Sequence, residues 1–159
     1  MIKVGDHFPD VTFTVMTSDG PKPKTSAEVF KGKKVVLFGL PGAFTPTCHR
    51  NHLPGYRDNY DALKAKGVDT IAVTAVNDAF VMGAWRDATS CGDKIEFLAD
   101  GSAAFTKAAG LTLDLTERGL GVRMRRFSML VVDGVVKTMN LEEATGTEES
   151  GAEKMLTQV

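Results

Sequence analysis

The chain has 159 residues, of which 43% are hydrophobic and 25% charged, a composition typical of a globular domain of ordinary size. A formal net charge of −1 and the lack of a long basic run disfavour nucleic acid as a partner. The longest apolar stretch, Val35 to Leu40, is far shorter than the roughly 20 residues of a membrane span, and Met1 to Asp6 show no signal or import sequence. We therefore expect a cytoplasmic protein with one domain over residues 1–159, which binds neither nucleic acid nor membranes.

The first elements in chain order are a strand, a short helical turn and a buried strand. Val11 to Met16 alternates weakly between apolar and polar residues and predicts a strand, followed by the turn signal Ser18-Asp19-Gly20-Pro21. Ser26 to Phe30 predicts one helical turn that Gly32 closes. Val35 to Leu40 is short, β-branched and apolar on both faces, which predicts a central strand.

The middle of the chain predicts two helices on either side of a second buried strand. Thr47 to about Lys64 favours a helix with a kink at Pro54-Gly55. Asp69 to Val76 predicts the strand, and Asn77-Asp78 can cap the helix that follows it. The apolar stripe of the first helix is predicted to contain Leu53, Tyr56, Tyr60 and Leu63, and the inner face of the second Phe80, Val81, Ala84 and Trp85.

The last third of the chain predicts a strand, a helix, a hairpin and a final helix. The hairpin signal is Asp133-Gly134 between two apolar runs. The predicted bounds are Ile95 to Leu98, Ser102 to Ala109 with Gly110 as the stop, Arg126 to Val132, Val135 to Met139 and Ala152 to Leu156. Strands that alternate with helices predict an α/β domain with a mixed central β-sheet flanked by helices, in an order compatible with a thioredoxin-like fold.

The segment from Pro41 to Cys48 joins a predicted buried strand to the first turn of the next predicted helix. The unpaired N–H groups and the dipole at a helix start favour the thiolate, which is the nucleophilic form of cysteine. The same groups can hold an anion or a polarised oxygen, and Thr45 can place a hydroxyl beside the sulfur. The alternative from spacing alone is a buried structural cysteine, because free cysteines commonly pack in cores.

The chain has two cysteines, Cys48 and Cys91, and no CxxC pair. A disulfide framework is therefore not expected, and two free thiols indicate a reducing compartment. His49 and His52 lie close to Cys48, but a zinc site would need more ligands of this type. We expect neither a metal nor an organic cofactor.

Four segments of the chain resemble one family in the same order. The pattern from Pro41 through Thr45 to Cys48 resembles the peroxiredoxin active-site signature, and His52-Leu53-Pro54-Gly55 is similar to the type II, or peroxiredoxin-5-like, subgroup. The other three segments are Val76 to Met82, Phe97 to Gly101 and Arg126 to Met129. The likeness covers nearly the whole chain, from about Val4 to Leu141.

This resemblance implies a thiol-dependent peroxidase that reduces hydrogen peroxide and alkyl hydroperoxides. Cys48 would be the peroxidatic cysteine and would become a sulfenic acid. Arg126 matches the arginine that the family places beside the cysteine, where with Thr45 it would hold the peroxide and stabilise charge on the departing oxygen. Pro41 would shield the thiolate from water. The implied substrate-binding residues are Gly42, Phe44, Thr45 and Arg126.

The chain departs from part of the family at the second thiol. Some type II members carry a resolving cysteine in the C-terminal segment, where the nearest match here is Ser150. Cys91 is the other thiol and is expected to be a bystander, with a resolving role as the alternative. The resemblance then implies a one-cysteine cycle, in which glutathione with glutaredoxin, or thioredoxin, is the external reductant. A redox sensor that relays oxidation of Cys48 to a partner protein is the alternative function, and a non-catalytic binding domain is a third.

The remaining polar and apolar candidates receive structural interpretations. His52 shares a helix face with Cys48 and is expected to make a structural hydrogen bond. The expected surface residues are His7, His49, Arg123 and Arg125. Candidates for an apolar pocket rim or a dimer contact are Phe44, Phe80, Leu115 and Leu120, which core packing would equally explain. The resemblance implies a homodimer.

Overall fold

The computed structural model describes residues 1–159. The strands are β1 (Thr12–Thr17), β2 (Gly20–Thr25), β3 (Lys34–Gly39), β4 (Thr70–Ala75), β5 (Glu96–Ala99), β6 (Thr112–Leu115), β7 (Gly121–Met124), β8 (Phe127–Val132) and β9 (Val135–Leu141). The α-helices are α1 (Ser26–Phe30), α2 (Leu53–Asp58), α3 (Tyr60–Ala65), α4 (Ala79–Ala88), α5 (Ala104–Ala108) and α6 (Ala152–Leu156). A π-helical turn covers Cys48–His52 and a 3-10 turn Thr116–Arg118. Every helix is too short or too polar to cross a membrane.

A mixed sheet of seven strands, in the order β2-β1-β5-β4-β3-β8-β9, runs through the centre of the fold. β4 lies parallel to β3 and β5, and the other neighbours are antiparallel. Side chains of β3 alternate between two apolar clusters, with Val36 and Phe38 on the same side as Cys48 and with Val35 and Leu37 on the other. β3 is therefore buried on both faces, as its continuous apolar run predicts, and the thioredoxin-like α/β arrangement is confirmed.

The first hairpin contains a strand that the sequence analysis missed. Only a turn was predicted at Ser18 to Pro21, but β2 continues to Thr25 and pairs with β1 throughout. Pro21 and Pro23 lie opposite Met16 and Thr14 on this edge strand. Proline disfavours a central strand because it lacks an N–H, whereas an edge strand needs no donor on its outer side.

The helix that follows Cys48 is irregular, but not where its sequence predicts. The Leu53 N–H donates to the Cys48 carbonyl, five residues back, so the helix begins with a π turn. Pro54 then lies in the first turn of α2, where a missing N–H is tolerated. The interruption comes instead at Asn59, between α2 and α3, where the side-chain amide donates to the Gly55 carbonyl. The irregularities therefore lie in the π turn before Pro54 and at Asn59, whereas the sequence predicts a kink at Pro54-Gly55.

Helix α4 begins as predicted but faces the core with different residues. The Asp78 carboxylate caps it by accepting a hydrogen bond from the Val81 N–H at 2.9 Å. Trp85 is buried as predicted, whereas Phe80 is 67% exposed and Ala84 is also exposed. The buried set is Ala79, Met82, Gly83 and Trp85. Three-to-four-residue spacing from Ala79 defines this face, and Phe80 lies one residue outside it.

The predicted final hairpin is present, and a second hairpin precedes it. Asp133 and Gly134 both have positive φ, at 47° and 79°, as a type I′ turn requires. β8 pairs with β3 on one side and with β9 on the other. The second hairpin, β6–β7, forms a separate two-stranded sheet that the sequence analysis missed. Apart from Met124, no residue of these two strands is buried, so their sequence shows no clear alternation of apolar and polar residues.

Candidate active site

Cys48 lies in the first turn of the helix that follows β3, as its sequence predicts. Pro46 and Thr47 are already helical, and the Thr45 carbonyl accepts a hydrogen bond from the His49 N–H at 2.8 Å. The cysteine has no exposed surface. Its own N–H donates to no main-chain or side-chain acceptor, so this donor is available to a substrate oxygen next to the sulfur.

Arg126 reaches Cys48 from the neighbouring strand of the sheet. β8 is antiparallel to β3, with Phe127 opposite Gly39, so the residue before β8 lies beside the loop that leaves β3. The Arg126 Nη2 donates to the Cys48 Sγ at 3.1 Å, and Nη1 donates to the His52 Nδ1 at 2.9 Å. The guanidinium places positive charge next to the sulfur, and this charge favours a thiolate and an anionic leaving group.

His52 makes the structural hydrogen bonds that the sequence analysis expected. Its Nε2 donates to the Ser150 carbonyl at 3.0 Å, which leaves the Nδ1 lone pair for Arg126. Burial, together with the positive charge of Arg126, lowers the pKa of His52 to about 3, although the Ser150 hydrogen bond opposes the shift. His52 is therefore neutral near pH 7 and serves as an acceptor for the guanidinium, not as a base.

The loop before Cys48 is fixed by hydrogen bonds of its own. The Thr45 hydroxyl donates to the Gly42 carbonyl at 2.7 Å, so its oxygen keeps lone pairs free to accept. The Ala43 N–H donates to the Asn77 Oδ1 at 2.9 Å, so Asn77, which the sequence predicts as part of a helix cap, holds this loop instead. Phe44 has a positive φ of 65° and a half-exposed ring. Pro41, with part of its surface exposed, begins this loop.

Arg123 also belongs to this loop, and its predicted role as a solvated surface charge is wrong. From β7, its Nη1 donates to the Pro41 carbonyl at 3.1 Å and its Nε to the Leu120 carbonyl at 2.8 Å. A Cβ at Gly42 would lie 2.5 Å from the Arg123 Nη1, so a larger residue there would displace the end of this side chain. Arg125, by contrast, pairs with exposed Glu143 at 3.2 Å. The second hairpin is thus tied to the active-site loop by one side chain.

His49 is not a surface histidine, contrary to prediction. The Trp85 Nε1 donates to its Nδ1 at 2.9 Å. The Phe44 ring stacks on the imidazole with centroids 5.6 Å apart. Nothing in the spacing of His49 and Trp85 along the chain signals this pair, which depends on α4 packing beside the Cys48 helix. Phe44, His49 and Trp85 therefore form an aromatic cluster at the residue that follows Cys48 in the chain.

Cys91 lies in a position that does not favour thiol chemistry. It is 1% exposed, and its sulfur lies 3.4 Å from the Thr89 hydroxyl. Burial raises the pKa of the Cys91 thiol, against the smaller effects of Thr89 and of the positive Arg57 and Lys94. The protein has no disulfide, and no three His, Cys, Asp or Glu side chains converge as metal ligands would.

Comparison with known proteins gives this geometry a family. A model of the Redoxin family matches residues 3–156. Peroxiredoxin-2E-2, chloroplastic, of Oryza sativa subsp. japonica is 49% identical over 98% of this chain and 71% of that protein. The chain belongs to the peroxiredoxin family. This peroxiredoxin is accordingly a thiol-dependent peroxidase, an oxidoreductase that reduces peroxides at the expense of thiols.

Solved peroxiredoxin structures share the whole fold of this peroxiredoxin. Reduced Prx3 from Vibrio vulnificus, in complex with hydrogen peroxide, has a TM-score of 0.95 and 49% identity, and 99% of each chain is covered. Peroxiredoxin 5 from Alvinella pompejana has a TM-score of 0.85 and 38% identity, with 99% of this chain and 97% of that chain covered.

Proposed function

We propose that Cys48 is the peroxidatic nucleophile of this peroxiredoxin and that Arg126 activates it. The observation that carries this proposal is the hydrogen bond from the Arg126 guanidinium to the Cys48 sulfur at 3.1 Å. An arginine stays charged at every physiological pH, so it favours the thiolate and can at the same time orient peroxide oxygens. Cys91, which is buried and has no such partner, takes no part in the chemistry.

The reaction is a displacement at oxygen. The Cys48 thiolate attacks the terminal oxygen of the hydroperoxide, an S–O bond forms and the O–O bond breaks. The sulfur is oxidised to a sulfenic acid, and the peroxide is reduced to an alkoxide or hydroxide, which takes a proton to leave as alcohol or water. Arg126 and the free Cys48 N–H stabilise the developing charge at the sulfur, and the Thr45 hydroxyl, three residues before Cys48, is proposed to act with them.

The proposed substrates are hydrogen peroxide and small alkyl hydroperoxides. The loop residues Pro41, Gly42 and Phe44 directly precede the Cys48 turn, and the half-exposed Phe44 ring offers an apolar contact for an alkyl group. The Vibrio vulnificus relative with bound hydrogen peroxide supports the first of these substrates.

We further propose a one-cysteine cycle with an external reductant, either glutathione with glutaredoxin or thioredoxin. In the C-terminal region where some type II members carry a resolving cysteine, the nearest match here is Ser150, and Cys91 is buried with a raised pKa. Two external thiols would reduce the sulfenic acid to the thiol, with release of water and a disulfide. A redox sensor would react with peroxide as well but would not turn over with these reductants.

The deciding experiment follows the loss of the Cys48 thiol after rapid mixing with one equivalent of hydrogen peroxide. We expect oxidation within seconds at micromolar peroxide, abolished in Cys48→Ser and retained in Cys91→Ser. Equal, slow oxidation of both thiols would contradict the assignment. Steady turnover with glutathione and glutaredoxin, or with thioredoxin, then separates the peroxidase from the sensor.

Three further parts of the proposal concern the molecule as a whole. We infer one domain over residues 1–159 of the type II, peroxiredoxin-5-like subgroup, which the Alvinella pompejana relative supports. The exposed apolar side chains of Phe44, Phe80 and Leu120 support a homodimer that sedimentation analysis would detect. Two unpaired thiols support a reducing compartment such as the cytoplasm, and fractionation of cells would test it.

A further inference from the structure

A buried carboxylate outside the reacting groups, Glu142, directly follows β9 and is only 8% exposed. None of the seven salt bridges of the protein includes it. Its Oε2 accepts instead from the Ser150 N–H at 2.9 Å, the Ser150 hydroxyl at 2.7 Å and the Glu149 N–H at 3.2 Å. A buried charge without a counter-ion destabilises a fold unless donors surround it, so a carboxylate is a costly way to close a loop.

The hydrogen bonds of Glu142 hold the N–H and the hydroxyl of Ser150, and they thereby hold the residue whose carbonyl faces the site. The Ser150 carbonyl accepts from the His52 Nε2 at 3.0 Å and from the Tyr56 hydroxyl at 2.7 Å. Burial raises the pKa of Tyr56 above its ordinary value, so the phenol remains a donor. Because the carbonyl receives two donors at once, its direction is set, and it keeps the proton of His52 on Nε2.

The chain of contacts ends at the sulfur. With its proton on Nε2, His52 presents the Nδ1 lone pair to the Arg126 Nη1 at 2.9 Å. The other terminal nitrogen of Arg126 contacts Cys48. The Glu142 N–H also donates to the Arg126 carbonyl at 3.0 Å. Glu142 therefore reaches Arg126 both through its main chain and through the side chain, Ser150 and His52.

We propose that Glu142 is a positioning residue for peroxide reduction, which through Ser150 and His52 holds the Arg126 guanidinium against the Cys48 sulfur. This inference rests on the function proposed for Cys48 and Arg126. A carboxylate suits the role because both of its oxygens accept from the Glu149–Ser150 segment, the Glu149 N–H also lying 3.3 Å from Oε1. A glutamine offers one acceptor oxygen in place of two and puts an N–H₂ group beside the donors of this segment, so the segment and the Ser150 carbonyl would shift.

The test compares rate constants for oxidation of Cys48 by hydrogen peroxide in the full chain. We expect Glu142→Gln to lower the second-order rate constant about tenfold, because a displacement of well under 1 Å at a reacting group has an effect of this size. Glu143→Gln is the matched control, since the Glu143 side chain is 79% exposed and pairs with Arg125 at the surface. This control should leave the rate constant unchanged.

A second background separates positioning from simple destabilisation. In Arg126→Ala, the group that Glu142 positions is gone, so adding Glu142→Gln should cause no further loss of rate. A loss of the same factor in both backgrounds would overturn the inference, as would an unchanged rate constant in Glu142→Gln alone. If Glu142→Gln does not fold, Ser150→Ala takes its place, with an expected loss of about threefold that again disappears in Arg126→Ala. In that case an unchanged rate constant in Ser150→Ala overturns the inference.

The two proposals fail in different ways. If the wild-type chain reacts slowly, or Cys48→Ser reacts as fast as the wild type, the function assigned to Cys48 is wrong. If the wild type reacts within seconds but Glu142→Gln shows the wild-type rate constant, only the role of Glu142 is wrong.

Discussion

The neutral state of His52 makes the stability of this peroxiredoxin depend on pH in a way that one substitution removes. The pKa of His52 is lowered to about 3, mainly by burial and then by Arg126, whereas an unfolded chain has the ordinary value of 6.5. A depressed pKa means that the unfolded state binds the proton first as pH falls. The contribution of His52 is therefore complete above about pH 6.5 and is lost progressively as the pH falls toward 3.

The magnitude follows from the width of that window. Each pH unit in which only the unfolded state binds a proton lowers the free energy of unfolding by about 1.4 kcal/mol. On acidification from about pH 7.5 to pH 4.5, only the two units below the unfolded pKa of 6.5 count, so His52 should lower the free energy of unfolding by roughly 3 kcal/mol. Carboxylates titrate near the lower end of this range as well, so the wild type alone does not isolate His52.

Urea unfolding of the wild type and of His52→Gln at both pH values isolates it. The introduced glutamine side chain cannot titrate but can still donate to the Ser150 carbonyl, so the carboxylate contribution cancels between the two proteins. We expect the wild type to lose roughly 3 kcal/mol more than the variant on acidification. Parallel losses in the two proteins would show that His52 binds its proton equally in both states and would refute the buried, neutral assignment.

Three further predictions concern the site and its surroundings. Arg126→Lys should lower the rate constant with hydrogen peroxide by on the order of 100-fold, because lysine cannot contact Cys48 and His52 at once, and stopped-flow oxidation measures it. A rate constant within about twofold of wild type would argue against guanidinium activation. Gly42→Ala should displace the Arg123 side chain and lower the rate constant about tenfold. Adding Arg123→Ala should restore most of the rate constant, because the clash is with that side chain. An equal loss with and without Arg123→Ala would show that the strain lies elsewhere. Leu37→Ala should lower the free energy of unfolding by about 3 kcal/mol, because this side chain has no exposed surface, whereas Val122→Ala on the exposed side of β7 should change it by less than about 0.5 kcal/mol in the same urea titration.

The sequence predicted those parts of the fold whose cause is local. The β-branched apolar run predicts β3, and the Asp133-Gly134 pair predicts the tight turn between β8 and β9. Asp78 predicts the start of α4, because its carboxylate can cap a helix. The structure differs where the cause lies in the surroundings. β2 can contain Pro21 and Pro23 because it lies at the edge of the sheet, where one side of the strand needs no N–H donor. Phe80 faces outward because the buried face of α4 is formed by Ala79 and its neighbours at helical spacing.

The site divides in the same way. The motif around Cys48 and the place of Arg126 beside it could be predicted because both segments resemble peroxiredoxin motifs, whereas spacing alone left a buried structural cysteine as the alternative. Arg123 could not, because its contact with the Pro41 carbonyl arises from the docking of β7 beside the loop. The Glu142 contacts depend on how the C-terminal segment turns back toward α2, and no spacing rule indicates such a turn.

The two prolines of β2 also limit how this protein can associate with itself. Pro21 and Pro23 are two residues apart on the outermost strand, so their main-chain nitrogens point to the same side of it. Because proline has no N–H, these two positions offer no hydrogen-bond donor to another strand. A strand from another chain would meet carbonyls without matching amides along this edge. Pairing of this edge with a strand of another chain is therefore disfavoured. The protein can associate through side chains elsewhere on its surface without extension of the sheet at β2.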